Sequence, residues 1–176
     1  MHERWSTAVI VFHWLTAILI AGLVLVGFIM TDLAADSAER LLLARLHTVT
    51  GILLMLLVVV RLVVRRRSKH PTALPMKPLH QRGVELINGL MYVVTFGIGL
   101  SGALTGALST WASYLQGQLS EVPELGHLVS RQAHEVLVFV LLGLIVLHVG
   151  GVVVYELRHG GVLKRMLPAA DRDHSA

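Results

Sequence analysis

Long apolar stretches alternate with short polar segments along this chain. Four stretches are almost continuously apolar, at about 8–30, 41–64, 84–108 and 129–157. A helix needs about 20 such residues to cross the hydrocarbon core of a bilayer. The pattern therefore predicts an all-α fold in which four transmembrane helices form one membrane domain over residues 1–176.

The composition agrees with this prediction and excludes several kinds of cofactor. Hydrophobic residues make up 55% of the chain and charged residues 15%, whereas a soluble domain has about a quarter of its residues charged. The first stretch follows Arg4 and has features of a signal peptide. Its length and the lack of a small-residue cleavage site favour a retained helix. Because the chain has no cysteine, disulfides, cysteine-held iron–sulfur clusters and covalently attached haem are excluded.

Basic residues are unevenly shared between the two ends of the predicted helices. Of the fifteen Lys and Arg residues, three lie at one end: Arg40, Arg45 and Arg131. The other twelve lie at the opposite end: Arg4, Arg61, Arg65, Arg66, Arg67, Lys69, Lys77, Arg82, Arg158, Lys164, Arg165 and Arg172. Positive charge marks the cytoplasmic side of membrane proteins. We therefore expect both termini and the basic loop at about 65–83 to be cytoplasmic.

The same positive charge has a second interpretation, which is nucleic-acid binding. Basic clusters beside membrane spans are typical of topology signals and of contacts with anionic lipids. No nucleic-acid-binding motif accompanies them here. We therefore expect membrane lipids, and not nucleic acid, as partners of these residues.

Four of the ten histidines lie within apolar stretches, namely His13, His47, His134 and His148. The other six occupy tails, loops or helix ends, where a solvated imidazole is the simplest account: His2, His70, His80, His127, His159 and His174. Ionisable groups inside membrane helices are costly and usually functional. For any single histidine, a hydrogen bond between helices is an equally good explanation.

The depths of these four histidines favour a shared function. Alternating helix directions place His47 and His134 at one depth near the outer face, and His13 and His148 at another near the inner face. His134 and His148 are separated by 14 residues, which is about 21 Å along a helix and just under four turns. Two imidazoles from different helices can fill both axial positions of a haem iron. The sequence thus predicts two b haems in the bundle core, held by His47 with His134 and by His13 with His148.

A porphyrin also needs space between the helices and partners for its propionates. Glycines supply space, and Gly102 with Gly106 forms a GxxxG pattern, for which close helix packing is the commoner meaning and clearance for haem the alternative. Arg61 near the inner pair, and Arg45 and Arg131 near the outer pair, are candidate propionate partners. Their alternative role is snorkelling to the membrane interface.

The segment from 109 to 130 connects the third and fourth stretches on the outer side. It contains Trp111 and Tyr114. These aromatic residues either cap the outer haem or anchor the chain at the membrane interface, which is the commoner use of such residues.

Several short segments carry a family resemblance through their order and spacing. They are Arg4-Trp5-Ser6, His13-Trp14-Leu15, His47 with Gly51, the VVVRLVVR run containing Arg61, His134-Glu135, His148, and Leu163-Lys-Arg-Met-Leu-Pro168. Together they resemble the bacterial cytochrome b561 family of small di-haem cytochromes. The resemblance implies an inner-membrane four-helix bundle whose haem ligands are His13, His47, His134 and His148, with Arg131 at a position where a basic residue is expected. It also implies electron exchange with ubiquinone.

Three functions follow from these observations as alternatives. Similar family members are associated with oxidising periplasmic superoxide and passing the electron to ubiquinone. By this resemblance, the chain would be a superoxide:ubiquinone oxidoreductase. Related cytochromes serve instead as membrane anchors that take electrons from a periplasmic dehydrogenase or hydrogenase. A metal or proton transporter is the third alternative, but Glu85, Glu135 and Glu156 lie toward helix ends, and transporters usually place acidic residues near mid-membrane.

Overall fold

The computed structural model describes residues 4–167 and is helical throughout, with no strand in that range. Its helices are α1 (Thr7–Asp32), α2 (Ala38–Arg67), α3 (Pro78–Ala107), α4 (Trp111–Leu115), α5 (Val129–His159) and α6 (Val162–Met166). The four predicted spans fall on α1, α2, α3 and α5. Four residues used in the sequence analysis lie outside the described range: His2, Pro168, Arg172 and His174.

All four long helices are long and apolar enough to cross a membrane. Large apolar side chains cover their outward faces; Val146 is 70% exposed and Val93 is 67% exposed. A soluble protein rarely shows so much contiguous apolar surface, whereas a lipid-facing surface is expected to be apolar. The prediction of four helices able to span a membrane is therefore confirmed, and these helices support a membrane protein.

The bundle consists of two antiparallel helix pairs. We call α1 with α2 the first hairpin and α3 with α5 the second hairpin, because the helices of each pack closely along one another. Contacts between the two hairpins are few by comparison. The hairpins therefore leave room along their shared seam, which is where a cofactor in a helical bundle is usually held.

One end of the bundle gathers both described chain ends and the connection between α2 and α3. We call it the basic end, and it comprises residues 4–6, 65–77 and 158–167. The backbone N–H of Trp5 donates to the carbonyl of Arg165 at 3.2 Å, and the Arg165 guanidinium donates to the carbonyl of Thr72 at 2.6 Å. These bonds tie three separate parts of the chain together at one end, as the charge pattern predicts.

The opposite end, here called the α4 end, comprises residues 32–45 and 107–131. Its connecting segments pack on each other, since the N–H of Val122 donates to the carbonyl of Ala35 at 3.1 Å. The short helix α4 contacts α2 and α3. Trp111 and Tyr114 thus lie against the bundle, and the side chain of Tyr114 is only 1% exposed.

Candidate cofactor-binding site

The four intramembrane histidines form two facing pairs across the seam between the hairpins. Near the α4 end, the ring centroids of His47 and His134 lie 6.2 Å apart, with 65° between the ring planes. Near the basic end, the centroids of His13 and His148 lie 6.5 Å apart, with 58° between the planes. In each pair, one histidine comes from the first hairpin and the other from the second. These are the two pairs that the sequence depths predict.

The spacing within each pair matches the requirement of a six-coordinate haem iron. Two metal–nitrogen bonds of about 2 Å, plus the radius of each imidazole ring, place the ring centroids roughly 6 Å apart. Within residues 4–167, no cluster of three or more His, Cys, Asp or Glu side chains is arranged to hold a metal ion. A haem needs only two protein ligands, and each pair supplies two.

A hydrogen bond orients His134 for this purpose. Its Nδ1 lies 3.0 Å from the carbonyl oxygen of Ile98 on α3. Because a carbonyl can only accept, Nδ1 must carry the proton, which leaves the lone pair on Nε2. Metal-binding histidines are commonly fixed in this way by a backbone carbonyl. The tautomer of His134 therefore fits haem iron.

Glycine allows that close approach. A Cβ atom at Gly102, one turn beyond Ile98 on α3, would lie 3.2 Å from Nδ1 and 3.3 Å from Cε1 of His134. Such contacts are tighter than ordinary van der Waals spacing, so any side chain at this position would press on the imidazole. The GxxxG pattern therefore includes one glycine that accommodates a histidine, while a Cβ atom at Gly106 would lie 3.7 Å from Cδ1 of Trp111.

His47 in the first hairpin has a similar but looser arrangement. A Cβ atom at Gly27 on α1 would lie 3.4 Å from Cε1 of His47. The carbonyl of Leu23, one turn before Gly27, faces the imidazole, at a geometry short of a full hydrogen bond. The buried Nδ1 of His47 has no hydrogen-bond partner of good geometry among the described residues. A hydrogen bond from Nδ1 of His47 to the Leu23 carbonyl would give His47 the same tautomer as His134.

His13 has a different partner. The guanidinium of Arg61 on α2 donates to its Nδ1 at 2.7 Å, and Arg61 also lies over the ring of Tyr92, 5.4 Å from its centroid. A guanidinium can only donate, so in this arrangement the proton of neutral His13 is on Nε2. For Nε2 to bind iron, Arg61 must release Nδ1 and donate to another acceptor. Arg61 therefore lies beside the basic-end pair, where the sequence places it as a propionate partner.

A cavity adjoins the basic-end pair between all four long helices. It has about 420 Å³ of empty space, including its open part. Its walls include Thr16 and Ile20 from α1, Arg61 from α2, Tyr92 from α3, and Leu141 and Ile145 from α5. The α1 and α5 residues follow or precede the histidines by one and two turns, on the same helix faces. The cavity therefore adjoins the basic-end pair through Arg61, which lines it and bonds His13.

The other two candidate arginines make contacts of their own. The Nε of Arg45 donates to the carbonyl of Leu115 at 2.7 Å and so holds α4 against α2. Arg131 pairs with Glu135 one turn along α5, at 3.2 Å. Both lie near the His47–His134 pair in sequence and space, and their role toward a propionate stays a prediction.

A second opening lies at the basic end between α2 and α3. This cleft, which we call the α2–α3 cleft, is lined by Leu62, Arg65, Arg66, His70, Glu85, Asn88, Gly89 and Tyr92. Arg65, Asn88 and Tyr92 also line the central cavity. A wall of three polar side chains thus separates the cavity beside the basic-end pair from a cleft at the membrane interface.

Sequence reasoning missed several residues of this site. It missed the two cradles, by which we mean the glycine and the carbonyl beside each α4-end imidazole: Gly27 and Leu23 for His47, and Gly102 and Ile98 for His134. Their sequence signal is a glycine four residues after an apolar residue, and this pattern is common in membrane helices. Asn88 and Tyr92 were also missed. Their one-turn spacing on α3 at the depth of the inner pair was the signal that could have found them.

Comparisons with known proteins agree with this arrangement. A family model described as prokaryotic cytochrome b561 matches residues 4–169. Cytochrome b561 homolog 2 of Escherichia coli strain K12 is 33% identical over 103 residues, which are 58% of this chain and 55% of that protein. The match thus spans about half the length of the relative. No solved structure gives a significant match.

Proposed function

The chain belongs to the prokaryotic cytochrome b561 family, and from this premise we propose that it conducts electrons between the two ends of the bundle through two b haems. Family membership makes the protein a membrane b-type cytochrome that binds haem b and transfers electrons. The number of haems, their ligands and the reaction partners are our proposal. The observation that carries it is the presence of two facing imidazole pairs at different depths.

His47 with His134, and His13 with His148, are the proposed axial ligands. Bound haem supplies reversible one-electron chemistry at iron. With both axial positions filled by imidazole, the iron has no open site for a substrate, which favours electron transfer over ligand activation. The carbonyl of Ile98 fixes the His134 imidazole with Nε2 free for iron, and the carbonyl of Leu23 would do the same for His47 once Nδ1 donates to it.

Arg61 has a second role in this proposal. If His13 held iron through Nε2, its Nδ1 would carry the proton and could not accept from Arg61. The Arg61 guanidinium would then be free to hold a haem propionate, since a carboxylate is a strong acceptor for a fork of N–H groups. The ring of Tyr92, 5.4 Å from the guanidinium, keeps Arg61 within the central cavity.

A one-electron donor such as superoxide is the proposed reductant at the α4 end, and ubiquinone is the proposed oxidant. The balance is two superoxide ions and two protons consumed per quinone, giving two dioxygen molecules and one quinol. Arg45 and Arg131 supply positive charge near the α4-end pair, which raises the local concentration of an anion. Glu121 and Glu124 on the same end are exposed acids and limit this attraction.

The α2–α3 cleft supports ubiquinone binding at the basic end. Arg65, Asn88 and His70 offer hydrogen-bond donors for quinone carbonyls, and the carboxyl of Glu85 lies in the same cleft. The wall formed by Arg65, Asn88 and Tyr92 places the cleft next to the cavity of the basic-end pair. Electrons therefore enter near the α4 end and leave near the basic end.

Stopped-flow mixing of purified oxidised protein with superoxide, with and without a soluble ubiquinone analogue, tests this function. We expect both haems to become reduced, and then to be reoxidised only when the analogue is present. Replacing Asn88 with Leu should slow the reoxidation and leave the reduction unchanged. Protein without two low-spin b haems per chain would refute the proposal.

The alternative function is that of an anchor subunit for a periplasmic dehydrogenase or hydrogenase. It predicts that superoxide reduces the haems too slowly to matter and that a soluble redox protein copurifies with the chain. Reoxidation by the quinone analogue is expected under both functions. The reduction step therefore distinguishes them.

A further inference from the structure

The α4 end contains a buried hydroxyl that the site described above does not use. The side chain of Tyr114 is 1% exposed, the least of any aromatic residue in the described part of the chain. Its hydroxyl oxygen is shielded from solvent and has no hydrogen-bond partner in residues 4–167. A buried hydroxyl without a partner is unfavourable, and such a group in a native protein calls for a specific explanation.

Tyr114 is held over the helix end that carries His47. The Nε of Arg45 donates to the carbonyl of Leu115 at 2.7 Å, and the indole Nε1 of Trp111 donates to the hydroxyl of Thr48 at 3.1 Å. Arg45 precedes His47 by two residues and Thr48 follows it directly. The helix α4 contacts α2 and α3, and Tyr114 is buried. Tyr114 therefore packs at the end of the bundle that also contains the His47–His134 pair.

A second buried group at this end of the bundle also has no hydrogen-bond partner among the described residues, namely the Nδ1 of His47. Arg45 already donates through Nε to Leu115, and Arg131 is engaged with Glu135. The hydroxyl of Tyr114 is the buried donor here that has no acceptor among the described residues.

We propose that Tyr114 is a haem-binding residue whose hydroxyl donates a hydrogen bond to a propionate of the haem held by His47 and His134. The inference rests on the proposed function, because it requires a haem at this pair. A carboxylate at the edge of an apolar bundle needs donors to offset the loss of water. A hydroxyl bound to a carboxylate makes a charge-assisted hydrogen bond, which is among the stronger kinds.

The test compares wild-type protein, Tyr114→Phe and the control Tyr155→Phe, all loaded with haem. Tyr155 lies near the basic end, stacked on His159 with ring centroids 4.6 Å apart. Two quantities are measured: the rate at which each haem passes to excess apomyoglobin, and the two midpoint potentials in a redox titration. We expect Tyr114→Phe to release one haem roughly tenfold faster, as the loss of one hydrogen bond to a charged group implies.

The potential gives a readout that a purely structural role would not move. Without the hydroxyl, the propionate charge is less well compensated, so the ferric state of that haem is favoured and its midpoint potential falls. The other midpoint potential and both values in Tyr155→Phe should match wild type. Two unchanged potentials in Tyr114→Phe, or equal acceleration of release from both haems, would overturn the proposal. A wild-type chain that holds no haem at His47 and His134 would instead refute the proposed function.

Discussion

At the scale of single residues, the hydrogen-bond partner of Nδ1 decides whether Nε2 of the same imidazole can bind a metal ion. An acceptor leaves Nε2 free, and a donor leaves the proton on Nε2. The Ile98 carbonyl gives His134 a free Nε2, whereas the Arg61 guanidinium gives His13 a protonated one. The two pairs therefore differ in whether Nε2 is free to bind iron, although the distances between their ring centroids are nearly equal. In the α4-end pair, His134 already has the tautomer that iron needs, whereas in the basic-end pair His13 requires Arg61 to change partner.

The first prediction concerns Gly102. A valine there would place its side chain within the space of the His134 ring, because even a Cβ atom would lie 3.2 Å from Nδ1. Overpacking of this kind costs about 1–3 kcal/mol and displaces the ligand. We expect Gly102→Val to retain about one haem per chain in place of two, measured by pyridine haemochrome absorbance against protein concentration.

Gly143→Val is the matched control, since a Cβ atom at Gly143 would meet nothing within 4 Å. It should retain both haems. Full haem content in Gly102→Val would show that the imidazole does not depend on this cradle.

The second prediction concerns the pairing itself. His47→Ala and His134→Ala should lose the same haem, while His13→Ala and His148→Ala lose the other, because each haem needs two imidazoles from opposite hairpins. The double variant of His47 and His134 should retain as much haem as either single variant. Redox titration identifies which of the two midpoint potentials disappears. Loss of different haems from two members of one pair would contradict the assignment.

At the scale of secondary structure, sequence reasoning predicted the long helices better than the short ones. Each long helix has an apolar run that a bilayer requires, and this property is local. The helices α4 and α6 are five residues long each, too short to be stable on local preference alone. Tertiary contacts stabilise them, such as the bond from Arg45 to Leu115, and such contacts are not visible in a local pattern.

The helix α6 depends on a cap that the sequence analysis missed. The carboxylate of Glu156, near the end of α5, accepts from the N–H groups of Gly161, Val162 and Leu163 at 3.2, 2.7 and 3.1 Å. Gly160 and Gly161 permit the turn between the helices, with φ values of 71° and 85°. Exposed N–H groups at a helix start are commonly satisfied by such an acceptor. Glu156, assigned above to a helix end, is therefore a structural cap.

The third prediction tests this cap. Glu156→Gln removes the negative charge that three N–H groups share, so α6 should fray and release the bond from the Trp14 indole to the Met166 carbonyl. Hydrogen–deuterium exchange over residues 160–167 should become several-fold faster in the variant. Glu135→Gln is the control, because Glu135 is exposed and pairs only with Arg131 among the described residues. Unchanged exchange in Glu156→Gln would mean that packing alone holds α6.

At the scale of the whole molecule, the two hairpins repeat one design. In each, a glycine on the first helix lies opposite a histidine on the second. A Cβ atom at Gly27 would make ordinary contact with His47, whereas a Cβ atom at Gly102 would press on His134. The sequence predicted which histidines pair, because depth follows from helix direction and residue count. It did not predict the cradles or the α2–α3 cleft, because these depend on how the hairpins are rotated about their axes.

The orientation of this bundle in the membrane is the last prediction, and it decides which partners can reach each end. The chain has no cysteine, so a single introduced cysteine is the sole target of a membrane-impermeant maleimide. Ser120 at the α4 end and Lys69 at the basic end are both exposed. Because positive charge is retained in the cytoplasm, Ser120→Cys should be labelled in intact spheroplasts. Lys69→Cys should be labelled only after lysis, and wild-type protein should stay unlabelled throughout.

The reverse labelling pattern would leave the histidine pairs unchanged but would place the α2–α3 cleft on the outer side of the membrane. Periplasmic superoxide would then meet the basic end first, and the proposed direction of electron flow through the bundle would have to be reversed.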